Sequence, residues 1–333
     1  MPDTGRNICV TSVDGQTGHL IAELILTHET FSFKADSVIG LSLDAKSEKA
    51  AELESLGAVI VEHKPGSGAD DLAATLKKAK CDTICLVPPA RSDKLAVCTE
   101  LVEAARAAGV SNALLISSAG ADYAERETQP RLREFIDIEA LVLASKGDPD
   151  NALAHSPCVI RAGFYAENLL VYAPQASTEG VLPIPIGENH KFAPVALGDV
   201  AQVAAHVLTG KGPHGFDDRH RGQMMVMTGP MLASGKELAT SASKGVGSQL
   251  QFQDIPELEA KVVLRNQSES DESELEYILE YYSLVREGKT NYIATSAFHY
   301  VTGGRPTELD TIFEMYAGEL RPQKKRRTAA ESN

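Results

Sequence analysis

Short apolar runs alternate with amphipathic stretches from residue 7 to residue 118, and no other feature restricts the fold of this chain as much. Ile8-Cys9-Val10, Val38-Ile39-Gly40-Leu41, Ala58-Val59-Ile60-Val61, Asp82 to Val87 and Ala113 to Ser118 read as strands. Between them, Leu20, Ile21, Leu24 and Ile25 recur at helical spacing. Glu48 to Leu56, Asp70 to Ala79 and Lys94 to Ala108 also read as helices. Strands this uniformly apolar are buried on both faces. Helical crossovers between them demand a parallel sheet with right-handed connections. The expected fold is α/β, a Rossmann-like doubly wound parallel sheet with a smaller, helix-rich α/β lobe at its C-terminal side.

The pattern continues with a helix from Pro130 that puts Leu132, Phe135, Ile136, Glu139 and Leu143 on one face. Cys158 to Arg161 is a sixth strand. Residues 173 to 196 hold Gly180, Pro183, Pro185, Gly187 and Pro194, the composition of loops and short strands. Asp199 reads as the cap of a helix carrying Val200, Val203, Ala204, Val207 and Leu208. Met224 to Met227 reads as a late strand, and residues 230 to 320 as helix-rich. These features divide the chain into a dinucleotide-binding domain over 1–160 and a substrate or partner lobe over 161–322. A segment of the lobe, about 195–230, returns to the first domain. A basic tail, 323–333, is expected to be disordered.

With 43% hydrophobic residues and a mean hydropathy of −0.14, the 333-residue chain has the balance of a soluble globular protein. It has no signal-peptide core and no run of roughly 18 apolar residues, so a cytoplasmic protein is expected. A net charge of −14 argues against direct nucleic-acid binding. Lys324-Lys325-Arg326-Arg327 has the composition of a nuclear-import cluster. The five cysteines, Cys9, Cys81, Cys85, Cys98 and Cys158, match no zinc spacing and read as buried thiols. His214, Asp217, Asp218 and His220 lie among Gly and Arg in a solvated loop, so no metal site is expected.

The first strand meets its helix through Ser12-x-x-Gly15-x-x-Gly18, a dinucleotide fingerprint with Ser at its first glycine. Thr11, Ser12, Gly15, Gln16, Thr17 and Gly18 are therefore the pyrophosphate candidates. Ser42, Leu43, Asp44 and Lys46 end the second strand, at the adenosine ribose position. There Asp44 favours NAD and Lys46 favours NADP, so the NAD(P) preference stays open. Pro88-Pro89 turns the chain at the carboxyl edge of the fourth strand. That ligand edge adds Val87, Pro88, Ser117, Gly163 and Phe164 as cofactor candidates.

Four stretches together resemble the NmrA-like family of atypical short-chain dehydrogenase/reductases, in particular its fungal-type members. They are Val10-Thr11 with Gly15-x-x-Gly18, Ile116 to Ala121, Ile160 to Asn168, and Phe192-Ala193-Pro194-Val195 leading to Asp199-Val200-Ala201. The resemblance implies an NAD(P)-binding domain with Gly15 to Gly18 over the pyrophosphate. The chain departs from the family pattern twice. Leu43 stands where NADP-binding members commonly carry Arg, and Phe135 stands where catalytic relatives carry a Lys. With Glu127 four residues after Tyr123, there is also no Tyr-x-x-x-Lys pair.

Ser117, Ser118, Tyr123 and Tyr165 are the hydroxyl groups available near the ligand edge for proton delivery. Two readings remain open. One is an NAD(P)H-dependent oxidoreductase acting on a small organic carbonyl, quinone or enone. The other is a non-catalytic NAD(P) redox sensor that binds a regulatory protein partner.

Overall fold

The computed structural model describes residues 5–144, 156–268, 271–291 and 293–322. The basic cluster Lys324 to Arg327 lies outside the described residues. Among the described residues, nine strands follow in chain order: β1 (Arg6–Thr11), β2 (Ala35–Ser42), β3 (Val59–Glu62), β4 (Thr83–Leu86), β5 (Asn112–Ser118), β6 (Ser156–Ala162), β7 (Val181–Ile184), β8 (Met224–Met227) and β9 (Gln251–Asp254). Seven of them form one sheet in the order β3-β2-β1-β4-β5-β6-β8, and every neighbouring pair runs parallel. This is the expected Rossmann-like architecture. Strand order reverses between β1 and β4, where an open α/β sheet leaves a crevice beyond its carboxyl ends.

Period-2 alternation sorts each strand's side chains to two apolar layers. Ile8, Val10, Leu114, Ile116, Cys158 and Ile160 pack on one face with the Gln16–Thr27 and Leu197–Thr209 helices. Cys9, Ile84, Leu86, Ala113, Leu115 and Val159 face the Ala69–Lys78 and Lys94–Ala108 helices on the other. The cysteines are free and buried, and burial pushes the Cys98 and Cys158 thiols up to about 12. They serve as packing groups.

A third apolar cluster builds the lobe. Phe164 meets Phe192 edge-on at 5.5 Å and lies against Tyr281 and Tyr282 at 5.3 and 5.1 Å. The lobe also contains a small parallel sheet, β7 with β9. β9 falls where the sequence reads as helix-rich, because Gln251-Phe252-Gln253-Asp254 offers one apolar residue to any periodicity. Its identity as a strand comes from pairing with a distant segment.

Asp199 does not cap its helix. That helix starts at Leu197, and the Leu197 amide donates to both oxygens of Glu167, at 3.0 and 3.1 Å. Asp199 instead accepts from the Thr307 amide and hydroxyl at 2.7 and 2.8 Å, tying the C-terminal segment to the sheet domain. Among the described residues no helix is long and apolar enough to cross a membrane. Nor do any three His, Cys, Asp or Glu groups converge to hold a metal. In the His214 to His220 loop, Asp217 and Asp218 pair with Arg219 and Arg221.

Candidate active site

A cavity of about 1230 Å³ opens along the carboxyl edge of the sheet, from the β1 loop past β4 and β5 to the lobe. It exceeds the roughly 300–1,000 Å³ of a pocket for one drug-sized ligand. It has room for more than one such ligand.

The sheet-side wall is built from backbone. Gly15 precedes the Gln16–Thr27 helix, no side chain caps that N-terminus, and its first turn carries no acidic residue. A Cβ on Gly18 would stand 2.4 Å from the Ser12 carbonyl oxygen and 2.5 Å from that of Thr11. Only glycine lets the helix start sit this close to the strand end, which aims the helix's first N–H groups at the cavity. Ser12 shows why the fingerprint wants glycine in its place: its φ is 52°, in the left-handed region. For an L-residue that costs roughly 1–2 kcal/mol. The Ser12 hydroxyl offsets part of it by donating to the Val87 carbonyl at 2.8 Å. An uncapped helix start, a glycine cradle and an adjoining cavity fit a pyrophosphate.

Ser12, Gly15, Gln16, Thr17, Gly18, Val87, Pro88, Ser117, Gly163 and Tyr165 all reach this cavity. Other residues expected there do not. Thr11 is buried beneath the loop, its hydroxyl donating to the Val87 carbonyl at 3.1 Å and accepting from the Val87 amide at 2.9 Å. Phe164 points into the lobe core. Tyr123 is 51% exposed at the surface and away from the cavity, so it is no proton donor to a ligand there.

The ribose segment follows the end of β2, as expected, but lines no part of the cavity. Ser42 is buried, the Leu43 amide donates to Asp14 Oδ1 at 3.1 Å, and Asp44 Oδ1 accepts from the Lys46 amide at 3.0 Å. That tight turn leaves Ser42, Leu43, Asp44 and Lys46 off the cavity wall. Lys49, one helical turn on, and Asp14 line it instead.

The hydroxyl of Ser117 is committed. It donates to Glu139 Oε1 at 2.6 Å, while Arg161 clasps the same carboxylate through Nε and Nη2, both at 2.8 Å. Arg161 also reaches Asp122 at 3.0 Å. This buried network fixes the end of β5 and leaves Ser117 no free proton to give a ligand. Tyr165 faces Thr17, and burial raises its phenol well above the usual tyrosine range.

Two cavity residues carry no local sequence signal. Lys94 is buried at the start of its helix, with Nζ donating to the Arg131 carbonyl at 2.9 Å and pairing with Glu134 at 3.3 Å. The ammonium stands 4.1 Å from the Phe135 ring centroid, so a lysine charge occupies this corner from a different element. Burial lowers its pKa, against the pull of Glu134. Tyr277, on the Glu272–Arg286 helix, meets Ser118 Oγ at 2.9 Å and packs on Phe135 with ring centroids 5.7 Å apart. Their separations along the chain hide both from any motif. The helical face shared by Ser273, Tyr277 and Tyr281 is the sole hint.

The NmrA-like family model matches residues 4–331, and the chain belongs to that family. Among similar proteins, an NAD(P)H azoreductase of Xenophilus azovorans is 26% identical over 251 residues, 75% of this chain and 78% of that protein. Quinone oxidoreductase 2 of Escherichia coli is 23% identical over 260 residues, 78% and 81% of the two chains. A match to prestalk A differentiation protein A of Dictyostelium discoideum, 29% identical, spans 48% of this chain and 49% of that protein. In fold, the chain is similar to the Escherichia coli NADPH-dependent quinone oxidoreductase complexed with NADPH, with a TM-score of 0.74, 20% identity and coverage of 93% and 99%. It is also similar to the Citrobacter sp. triphenylmethane reductase complexed with NADP(H), with a TM-score of 0.72, 20% identity and coverage of 93% and 99%.

Proposed function

We propose that this member of the NmrA-like family binds NAD(P)(H) along the sheet edge and is an oxidoreductase reducing a small conjugated acceptor, a quinone, enone or other organic carbonyl. One observation carries the reading. The cavity runs without interruption from a glycine-lined anion cradle to a wall of aromatic rings and hydroxyls, Phe135, Tyr165, Tyr277 and Ser118. Gln16, Thr17 and Gly18 hold the pyrophosphate; Val87, Pro88 and Gly163 line the path onward. When bound, the reduced nicotinamide supplies a hydride. The protein's own part is to orient the two ligands and keep water from between them. Relatives named for azo compounds, quinones and triphenylmethane dyes support a flat, conjugated acceptor.

Lys49 on the wall, where Lys46 turns away, supports a preference for the 2′-phosphate of NADPH. Lys49→Glu is then expected to weaken NADPH binding about tenfold and NADH binding much less. Equal losses would contradict this role.

A second reading, a non-catalytic NAD(P) sensor for a partner protein, draws support from Phe135 and from the committed Ser117 hydroxyl. Titration separates the two. The chain has no Trp, so binding is followed by the fluorescence of NADH and NADPH themselves. Loss of nicotinamide absorbance is then measured with a panel of quinones and enones. Tight binding with no turnover across the panel favours the sensor, and no binding of either nucleotide contradicts both readings.

A further inference from the structure

The lobe-side wall offers one hydroxyl pair that no other group uses up. Tyr277 and Ser118 come from elements 159 residues apart, meet at 2.9 Å, and both line the cavity. Ser118 has a second acceptor in the Ala119 carbonyl, but at a long 3.4 Å. Where Ser118 spends its one proton on the 2.9 Å bond to Tyr277 rather than on the 3.4 Å contact with Ala119, the phenolic O–H is left for a ligand. Of the neighbouring hydroxyls, Ser117 spends its proton on Glu139, and the Tyr165 phenol has Thr17 as its partner. Tyr277 is also held in place. Its ring rests on Phe135, which in turn lies under the Lys94 ammonium. Burial lifts the Tyr277 phenol up to about 12, with Ser118 partly opposing. At neutral pH it stays protonated, and it is a far better hydrogen-bond donor than proton source.

We infer that Tyr277, oriented by Ser118, donates the hydrogen bond that receives the acceptor's carbonyl oxygen as that oxygen becomes an oxyanion. This rests on the oxidoreductase reading above. The acceptor gains a hydride with its electron pair and is reduced as the nicotinamide is oxidised, and the carbonyl π pair moves onto oxygen. Tyr277 stabilises that charge without surrendering its proton. Water supplies the proton as the product leaves. Such a donor acts on charge that develops in the transition state, and removing one typically costs roughly 10²-fold or more in rate.

The inference sets a substrate preference that a general packing role for Tyr277 would not. A quinone develops negative charge on oxygen when it accepts hydride. A triarylmethane cation is neutralised at carbon and needs no such donor. Tyr277→Phe keeps the ring on Phe135 and is expected to lower quinone kcat/KM roughly 10²-fold relative to that for a triarylmethane dye. Ser118→Ala should shift the same ratio in the same direction, by roughly tenfold. Calorimetric binding of a quinone to the nucleotide-free protein should weaken several-fold in Tyr277→Phe, while NADPH affinity holds. An unchanged ratio, or equal loss with both acceptors, would overturn the inference and leave the oxidoreductase reading standing. If the wild type turns over the quinone alone, quinone kcat/KM set against NADPH affinity replaces the ratio, and a fall of less than about threefold overturns the inference. A wild type that reduces neither acceptor defeats the oxidoreductase reading, and this inference with it.

Discussion

The two walls of the cavity are made of different material. On the sheet side, Ser12 to Gly18 present backbone: a left-handed residue, two glycines and a helix start. On the lobe side, Phe135, Tyr277 and Lys94 present side chains brought together from three helices. A dinucleotide's pyrophosphate is the same in every complex, so a backbone cradle answers it and tolerates little change. An acceptor is particular, so the wall that meets it is assembled from exchangeable side chains. On the proposed reading, the first wall sets what chemistry is available, and the second decides on what.

The largest expected effect falls between the walls. Glu139→Ala strips the carboxylate from Arg161 and Ser117, leaving the guanidinium of Arg161, on β6, with only Asp122. Breaking a buried pair of this kind costs about 3–5 kcal/mol, so thermal unfolding should shift down steeply and binding at both walls should suffer. Loss at one wall alone would mean that the network does not couple them.

Gly18→Ala attacks the sheet wall. A Cβ 2.4 Å from a carbonyl oxygen forces the helix start away from β1, at roughly 1–3 kcal/mol. NADPH affinity measured by fluorescence should fall with it, and unchanged affinity would show that the cradle is not where the pyrophosphate sits.

On the lobe side, Glu280 accepts from the Arg131 and Leu132 amides at 3.2 and 2.7 Å, docking the Glu272–Arg286 helix on the start of the Pro130–Ala144 helix. Glu280→Gln should cost about 1 kcal/mol, as a lost cap does, and raise KM for the acceptor more than for the nucleotide. Burial raises the folded-state pKa of Glu280. Between its unfolded and folded values the native state binds more protons than the unfolded one, so this group's contribution is full in acid and declines as pH rises through the folded value. Denaturant melts of wild type and variant should differ most at the lowest pH where both fold. A difference that grows with pH would contradict the assignment.

Ser12→Gly should do least. It relieves the left-handed strain but loses the bond to Val87 and adds chain entropy, so stability should stay within about 1 kcal/mol. A large drop would mean that the hydroxyl does more than pin β1 to β4.

The same contrast explains what the sequence could convey. Strand alternation and Gly15-x-x-Gly18 are local, and geometry within a few residues makes them legible; the parallel sheet and the cradle follow from them. The departure at Ser12 was visible, but its tolerance depends on Val87, 75 residues away. Asp44 and Lys46 follow the end of the second strand, which places them at the ribose position, yet the Asx turn between them and the Leu43 bond to Asp14 leave them off the cavity wall. Phe135 is a packing residue of the lobe-side wall. That Lys94 would put its ammonium over this ring could not be read from spacing, because tertiary packing alone unites them. Tyr123 failed for the reverse reason: near Ser117 in sequence, it turns outward after β5.

The division of labour between the walls is tested most directly by mixing the purified chain with NADPH and a quinone and following nicotinamide absorbance, with Tyr277→Phe and Gly18→Ala in parallel. Turnover by the wild type is expected, with Gly18→Ala losing nucleotide affinity and Tyr277→Phe losing rate at unchanged nucleotide affinity. NADPH bound tightly by all three but consumed by none would contradict an oxidoreductase built from these two walls.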